Sequence, residues 1–286
     1  MHPYLRIMRL DNPVGSLLLL WPTLAALCMA ADGPPPLKLV VIFTLGTFLM
    51  RAAGCVINDY ADRHVDGGVE RTRNRPLVTG AMQPREALIL FGVLAAAAGS
   101  LTLFLSHATK LWAVAGLAVA ALYPFMKRWT YLPQTVLGAA FSWGILMAWS
   151  ATVGQVSQAA WLYFAASVVW IVGYDTLYAM VDREDDIKIG IKSTAVLFGA
   201  LDRVMVGALQ IITVFALLLL GLRLGYEHVY FAGVLAGGGL FIYQQYLIRK
   251  REPARCLEAF RNNTWVGFAL LVGTIGELVL RGYLAQ

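Results

Sequence analysis

Residues 203–222 read RVMVGALQIITVFALLLLGL and contain one charged side chain, Arg203, at the first position. A hydrocarbon core about 30 Å thick is crossed by roughly 20 mainly apolar residues in an α-helix. The stretch is too long and too uniformly apolar for a membrane β-strand, in which apolar and polar side chains alternate. It is therefore predicted to be a transmembrane helix.

Eight further stretches of the chain have the same character. The nine predicted spans are 14–31, 38–57, 86–105, 110–126, 132–151, 159–180, 203–222, 228–248 and 264–282. Two connections, 58–85 and 181–202, are long, and the others are brief. The sequence thus predicts an all-α fold, a polytopic transmembrane bundle of nine helices, formed by a single domain over residues 1–286.

The composition argues against other classes of protein. Hydrophobic residues make up 59% of the 286 residues and charged residues 14%, against about 45–50% and about 25% in soluble domains. The chain is also too apolar to be disordered. Its three cysteines and four histidines have no paired spacing, which argues against a disulfide framework and a zinc site. The net charge of +6 is explained by membrane topology, so it does not indicate nucleic-acid binding.

The basic residues predict the orientation of the chain. With the N-terminus inside, 18 of the 23 lysines and arginines fall in inner segments, four fall in outer segments, and Arg51 lies within a span. Cytoplasmic loops are enriched in these residues. We therefore expect a cytoplasmic N-terminus, a periplasmic C-terminus and both long connections on the cytoplasmic face. Because no transit peptide precedes the first span, we expect the inner membrane of a bacterium.

Each long connection begins with an acidic cluster whose members are three or four residues apart. The first cluster is Asn58, Asp62 and Asp66, and the second contains Asp182 and Asp186, which continue a face that Asp175 and Tyr178 begin at the inner end of the sixth predicted span. This spacing places side chains on one face of a helix, provided that the second predicted helix continues past residue 57. Each cluster would then be a stripe of like charge, which destabilises a helix that has no ligand.

Divalent cations would relieve this repulsion. Ligands that are all oxygen atoms favour Mg²⁺ or Mn²⁺ over zinc, and Mg²⁺ commonly completes its shell with water and substrate phosphate. Two such clusters flanked by arginines predict a metal-dependent diphosphate site. The alternative is that the acids are solvated and paired with neighbouring arginines. Asp175 fits that alternative less well, because an unpaired carboxylate within a span is costly.

Three cations near the clusters have two interpretations each. Arg51 precedes Asn58 by seven residues, on the same helical face and about 10 Å deeper along the helix axis. It either faces the bundle, where an anionic substrate would meet it, or extends to the inner interface. Lys127 and Arg128 either reach the diphosphate or only set the topology.

At these residues the chain resembles the UbiA superfamily of intramembrane aromatic prenyltransferases. The NDxxDxxxD and DxxxD motifs of that family are matched by Asn58, Asp59, Asp62 and Asp66, and by Asp182 and Asp186. The separation of the two motifs by four spans and the nine-helix count agree with the family. The stretches 49–55, 74–77, 123–128 and 188–194 are similar to the branch that acts on 4-hydroxybenzoate. Asn12 is a departure, because a lysine is expected there.

The resemblance implies a metal-dependent prenyl transfer in ubiquinone biosynthesis. A polyprenyl diphosphate would ionise to an allylic cation, which would alkylate 4-hydroxybenzoate at the ring carbon ortho to the hydroxyl. The implied Mg²⁺ ligands are Asn58, Asp62, Asp66, Asp182 and Asp186. The implied partners are therefore a polyprenyl diphosphate, 4-hydroxybenzoate and membrane lipid.

The resemblance also suggests roles for residues outside the metal set. Arg63 and Arg128 are expected to stabilise the departing diphosphate. The further candidates for binding the diphosphate or the acceptor are Arg51, Lys127, Tyr178 and Lys192. As hypotheses, Asp175 accepts the proton that the ring loses and Arg51 binds the benzoate carboxylate.

Three other functions stay open at this point. The first is the same chemistry on a naphthoate, a homogentisate or a heme vinyl group. The second is a CDP-alcohol phosphotransferase, although Asp66-Gly67-Gly68 is not followed by the Ala-Arg that such enzymes need. The third is a cation-coupled transporter, although the acids lie at one face and nine spans do not divide into equal halves.

Overall fold

The computed structural model describes residues 2–284, apart from the side chain of Lys127, and contains no β-strand in that range. Nine of its helices are long and apolar enough to cross a membrane. The helices are α1 (Pro3–Ile7), α2 (Val14–Ala31), α3 (Leu37–Asp62), α4 (Pro84–Thr102), α5 (His107–Trp129), α6 (Pro133–Val153), α7 (Gln158–Ile189), α8 (Thr194–Phe198), α9 (Asp202–Arg223), α10 (His228–Leu247) and α11 (Pro253–Leu284). For the described residues, the predicted all-α class and the nine spans are confirmed.

Several helices extend beyond the predicted spans, and the first part of the connection 181–202 is helical. α7 continues from the membrane through the second acidic cluster to Ile189, and α11 begins eleven residues before the predicted position 264. Charged residues end a hydrocarbon-crossing segment without ending the helix itself. α7 ends only at Gly190, whose φ of 73° is a left-handed conformation that glycine adopts without strain.

The spanning helices form a closed ring in which helices that follow one another along the chain are neighbours, and α11 packs against α2. Contacts between α2 and α6 and between α7 and α11 fill the middle of the ring. The outer faces carry exposed apolar side chains such as Ile211, Phe215 and Ile242. In the part of the chain that is described, these faces suit a lipid environment better than water.

α4 and α5 contact each other at few points, while α4 packs on α3 and α5 packs on α6. Because the ring is loosely filled here, a cavity of about 750 Å³ lies among α2, α3, α4, α5 and α6. Its walls are mainly apolar, with residues such as Leu18, Phe43 and Met147. The fold therefore holds a large, mainly apolar space within the bundle.

Candidate functional site

A smaller cavity of about 160 Å³ lies where the C-terminal ends of α3 and α7 meet. The predicted residues that line it are Asn58, Asp62, Asp66, Asp175, Tyr178, Asp182, Asp186 and Lys192. The structure thus brings both acidic clusters to one space, although they are more than 100 residues apart in the chain. We refer to this space as the acidic cavity.

α7 carries the second cluster. The helix is continuous from Asp175 to Asp186, as the spacing predicts, so these acids follow one another along one helical face. After Gly190 the chain turns back, and Ile191 donates a backbone hydrogen bond to the carbonyl of Asp186. This turn places Lys192 at the wall of the acidic cavity.

The first cluster is arranged differently from the prediction. Asn58 and Asp62 lie on α3, but that helix ends at Asp62, and Asp66 begins a short 3-10 helix. Gly67 and Gly68 follow, and glycine is a poor helix former. The expected stripe of three residues on one helix is therefore wrong for Asp66, which reaches the acidic cavity from the following turn.

Two arginines that the sequence analysis did not single out contact the acids. Nε of Arg71 donates to Oδ1 of Asp182 at 3.0 Å and Nη2 donates to Oδ2 at 2.5 Å, while Nη1 donates to the hydroxyl of Tyr178. The guanidinium also lies over the ring of Tyr178, 4.4 Å from its centroid. Arg71 thus links the connection after α3 to the second acidic cluster.

Arg75 is the second of these arginines and contacts the first cluster. Its Nη1 lies 2.6 Å from Oδ2 of Asp66 and 3.0 Å from Oδ1 of Asp59. Burial raises the pKa of Asp66, against the opposite influence of Arg75. Burial opposes the charge of Arg75, but the carboxylates of Asp59 and Asp66 give its pKa a net rise.

Asp59 also accepts from Arg9 at 3.0 Å, so this motif residue holds the N-terminal segment in place.

Arg71 and Arg75 pair with Asp182 and Asp66, two of the predicted metal ligands, so a metal ion would have to compete with these arginines. Within residues 2–284, no group of three or more histidine, cysteine, aspartate or glutamate side chains is close enough to hold a metal ion. The cavity wall nevertheless offers carboxylate and amide oxygens from two sides, and Mg²⁺ needs one or two carboxylates together with water and phosphate. This donor set fits a hard divalent cation that binds together with a diphosphate.

Two predicted diphosphate-binding residues, Arg63 and Arg128, are absent from the described lining of the acidic cavity. Arg63 donates to the backbone carbonyl of Tyr60 at 2.6 Å, and its guanidinium lies over the Tyr60 ring. Arg128 is exposed and donates to the carbonyl of Ala61 at 3.0 Å. The side chain of Lys127 lies outside the described structure. The roles of these three residues stay predictions, whereas Arg71 and Arg75 contact the acids directly.

Arg51 lies in the larger apolar cavity and faces the bundle. Its guanidinium carbon is 5.7 Å from the centroid of the Phe141 ring, and Nε is buried without a hydrogen-bond partner. A Cβ atom on Gly15 would lie 2.6 Å from Nε and from Nη2, so only glycine leaves room for Arg51 there. A buried cation with unused donor capacity is suited to bind an anion.

The two cavities meet. Residues that line both of them are Asn58, Tyr123, Pro124, Asp175, Tyr178, Arg71 and Arg75. An acidic cavity therefore adjoins a larger, mainly apolar one within a helical membrane bundle. This arrangement defines a class of membrane protein that handles an amphiphile with a polyanionic head and an apolar tail.

Comparisons with known proteins identify the family. Residues 19–270 match the model of the UbiA prenyltransferase family. The 4-hydroxybenzoate octaprenyltransferase of Coxiella burnetii is 53% identical over 275 residues, which cover 96% of each chain. The enzyme of that name from Azotobacter vinelandii is 54% identical over 279 residues, covering 96% of this chain and 95% of the relative. The chain belongs to the UbiA prenyltransferase family.

Solved structures share the fold at lower sequence identity. A UbiA homolog from Aeropyrum pernix aligns with a TM-score of 0.80 and 24% identity, over 93% of this chain and 98% of the other. A UbiA homolog from Archaeoglobus fulgidus, bound to GPP and Mg²⁺, aligns with a TM-score of 0.70 and 22% identity, over 94% and 99%. These likenesses support the helical architecture described above.

Proposed function

We propose that this protein transfers a polyprenyl group from a polyprenyl diphosphate to the ring carbon ortho to the hydroxyl of 4-hydroxybenzoate, in ubiquinone biosynthesis. The observation that carries the proposal is the junction of the acidic and apolar cavities at Asn58, Asp175 and Tyr178. There a diphosphate head and a prenyl tail would each find a matching environment. The names of relatives about half identical over nearly the full chain support the same acceptor.

The acidic cavity would bind the diphosphate together with Mg²⁺. The residues that would hold the metal are Asn58, Asp62, Asp66, Asp182 and Asp186. When bound, Mg²⁺ would neutralise charge on the leaving diphosphate. Lys192, at the wall of this cavity, would add a positive charge beside the phosphate oxygens.

The apolar cavity would hold the prenyl chain and exclude water from the reaction. Breaking the bond between the allylic carbon and the diphosphate oxygen leaves a carbocation, which water would convert to an alcohol. Tyr123 and Tyr178 line the junction, and aromatic faces attract cations. The ring carbon of the acceptor supplies the electron pair for the new carbon–carbon bond, and the ring then loses a proton.

Two residues would orient the acceptor and complete the reaction. Arg51 would bind the benzoate carboxylate, since its buried guanidinium has unused donor capacity. Asp175 lines both cavities and would accept the proton from the alkylated ring. Arg51 and Asp175 both line the larger cavity, so an acceptor bound there could contact both side chains.

The orientation of the chain follows from its basic residues. We place the N-terminus in the cytoplasm, the C-terminus in the periplasm of a bacterial inner membrane, and the acidic cavity on the cytoplasmic side. The clusters adjoin the connections that are rich in arginine and lysine. Alkaline phosphatase fused after residue 284 should be active, and a fusion in the 69–75 segment should be inactive. The reverse pattern contradicts this orientation.

The direct test is product formation by purified protein in detergent. Labelled 4-hydroxybenzoate and geranyl diphosphate should give a prenylated acid with Mg²⁺ and none with EDTA. Asp62→Ala and Asp182→Ala should abolish the product, whereas Asp32→Ala should retain it, since that side chain is 72% exposed and away from both cavities. Consumption of the diphosphate without an aromatic product would point to a different acceptor. No consumption, with long-chain diphosphates in lipid included, would contradict the enzyme assignment.

A further inference from the structure

The segment 69–75 joins the two acidic clusters across the acidic cavity. Its Glu70 backbone N–H donates to Oδ2 of Asp185 on α7 at 3.2 Å, and the buried Thr72 hydroxyl donates to the carbonyl of Asp66 at 2.7 Å. Arg71 lies between these two anchors and extends to Asp182, and Arg75, three residues after Thr72, extends to Asp66. One backbone and one side-chain hydrogen bond therefore hold the segment in place, while the two arginines project from it toward the acids.

Arg71 uses both oxygens of Asp182. Two nitrogens of its guanidinium contact the two carboxylate oxygens, and the third contacts Tyr178. A forked arginine occupies a lone-pair site on each oxygen of the carboxylate and holds a full positive charge beside the sites that remain, which opposes the binding of a metal ion there. Arg71 and a divalent cation must therefore compete for Asp182.

We propose that Arg71 is a tethered cation that occupies Asp182 in the absence of metal and binds the diphosphate once a metal ion has taken its place. The inference rests on the proposed function of the acidic cavity. Arg71 lines both cavities and its side chain is 29% exposed, so it is free to turn from Asp182 toward a phosphate at the junction. The ring of Tyr178 keeps the guanidinium near the cavity during this exchange.

The exchange would couple the binding of metal and diphosphate. A metal ion alone must displace Arg71 and leave a positive charge without a partner, so it would bind weakly. A diphosphate supplies that partner, and the two ligands together would bind more tightly than their separate affinities suggest. The carboxylates would also stay neutralised when no substrate is present.

The test measures metal binding without any turnover. Binding of Mn²⁺ to the full-length protein in detergent is followed by electron paramagnetic resonance, first alone and then with geranyl diphosphate. Without diphosphate, Arg71→Gln should bind Mn²⁺ about tenfold more tightly than the unmodified protein, within the usual range of coupling between sites. With Mn²⁺ present, the same variant should bind geranyl diphosphate more weakly.

Arg73→Gln is the matched control, because Arg73 lies in the same segment but pairs with Glu70 and is 56% exposed. It should leave both affinities unchanged. Arg71→Lys keeps the charge but loses the forked contact, so it too should raise the affinity for Mn²⁺ alone. Tyr178→Phe removes one contact of Arg71 and should raise the affinity for Mn²⁺ alone by a smaller factor. This variant tests the inference if Arg71→Gln does not fold.

The outcomes separate this inference from the proposed function. If Arg71→Gln binds Mn²⁺ no more tightly than the unmodified protein, the competition is disproved while the metal site stands. If Arg71→Lys keeps the unmodified affinity, general charge repulsion explains the result and the forked exchange is wrong. If no variant binds Mn²⁺ even with geranyl diphosphate, both the inference and the proposed metal site fail.

Discussion

Nη1 of Arg75 lies 2.6 Å from Oδ2 of Asp66, an acid that the sequence assigns to metal binding. The same nitrogen is 3.0 Å from Oδ1 of Asp59, so one guanidinium joins two buried carboxylates of the first motif. Only 14% of the Arg75 side chain is exposed. The first acidic cluster therefore has its own internal counter-charge in the structure.

Replacing Arg75 tests whether this counter-charge stabilises the protein. Arg75→Gln should lower the free energy of unfolding by about 1–3 kcal/mol in EDTA, because buried carboxylates lose a charged partner. Mg²⁺ should restore part of the loss, since a divalent cation compensates the same acids. Thermal melting in detergent, with and without Mg²⁺, measures both effects. If Arg75→Gln lowers the free energy of unfolding equally with and without Mg²⁺, Arg75 does not compensate the same acids as the metal ion.

Gly15 offers a way to move Arg51 without removing its charge. Gly15→Ala puts a Cβ atom 2.6 Å from two guanidinium nitrogens, and the flexible end of Arg51 must shift. We expect the KM for 4-hydroxybenzoate to rise about tenfold, as for a weakened charged hydrogen bond, with little change for geranyl diphosphate. Gly92→Ala is the control, because a Cβ there meets no atom within 4 Å. An unchanged KM for the acid would remove Arg51 from the acceptor site.

Asp202 is fully buried and joins three parts of the fold away from both cavities. It accepts from Arg183 at 2.8 Å and from Nε of Arg251 at 2.8 Å, linking α7, α9 and the turn before α11. Asp202→Asn should cost about 1–3 kcal/mol of stability, because two partly exposed arginines lose the buried carboxylate that they share. The melting temperature should fall while KM values stay constant. Glu258→Gln, in an exposed pair with Arg255, should change the melting temperature little.

Glu277 stabilises the beginning of α10 from a neighbouring helix. Its carboxylate accepts backbone N–H groups of Glu227, Val229 and Tyr230 at 2.8, 3.0 and 3.2 Å, and it is 1% exposed. Glu277→Gln should lower stability by about 1–3 kcal/mol, because the helix start loses a charged acceptor. Melting curves of Glu277→Gln should show this loss. Glu227→Gln is the control and should leave the melting temperature unchanged, since that side chain is 72% exposed. A change in substrate affinity instead would contradict a purely structural role.

The alternative interpretation of the acids as partners of nearby arginines is correct in part. Asp66 and Asp182 are paired with arginines, but in a cavity wall rather than in open solvent. The run of arginines at 71, 73 and 75 was the available sequence signal. Spacing could not distinguish the exposed Arg73 from its two neighbours, because that difference depends on how the segment folds against α7.

The sequence by itself determined what depends on neighbouring residues. Lipid requires each backbone to satisfy its own hydrogen bonds, so apolar length alone predicted nine spans, and the spacing of Asp182 and Asp186 predicted one face of α7. Only the tertiary structure decided that Asp66 leaves α3 for a turn and that Arg71 reaches Asp182, 111 residues away. Such contacts depend on the packing of distant segments, which local periodicity does not encode.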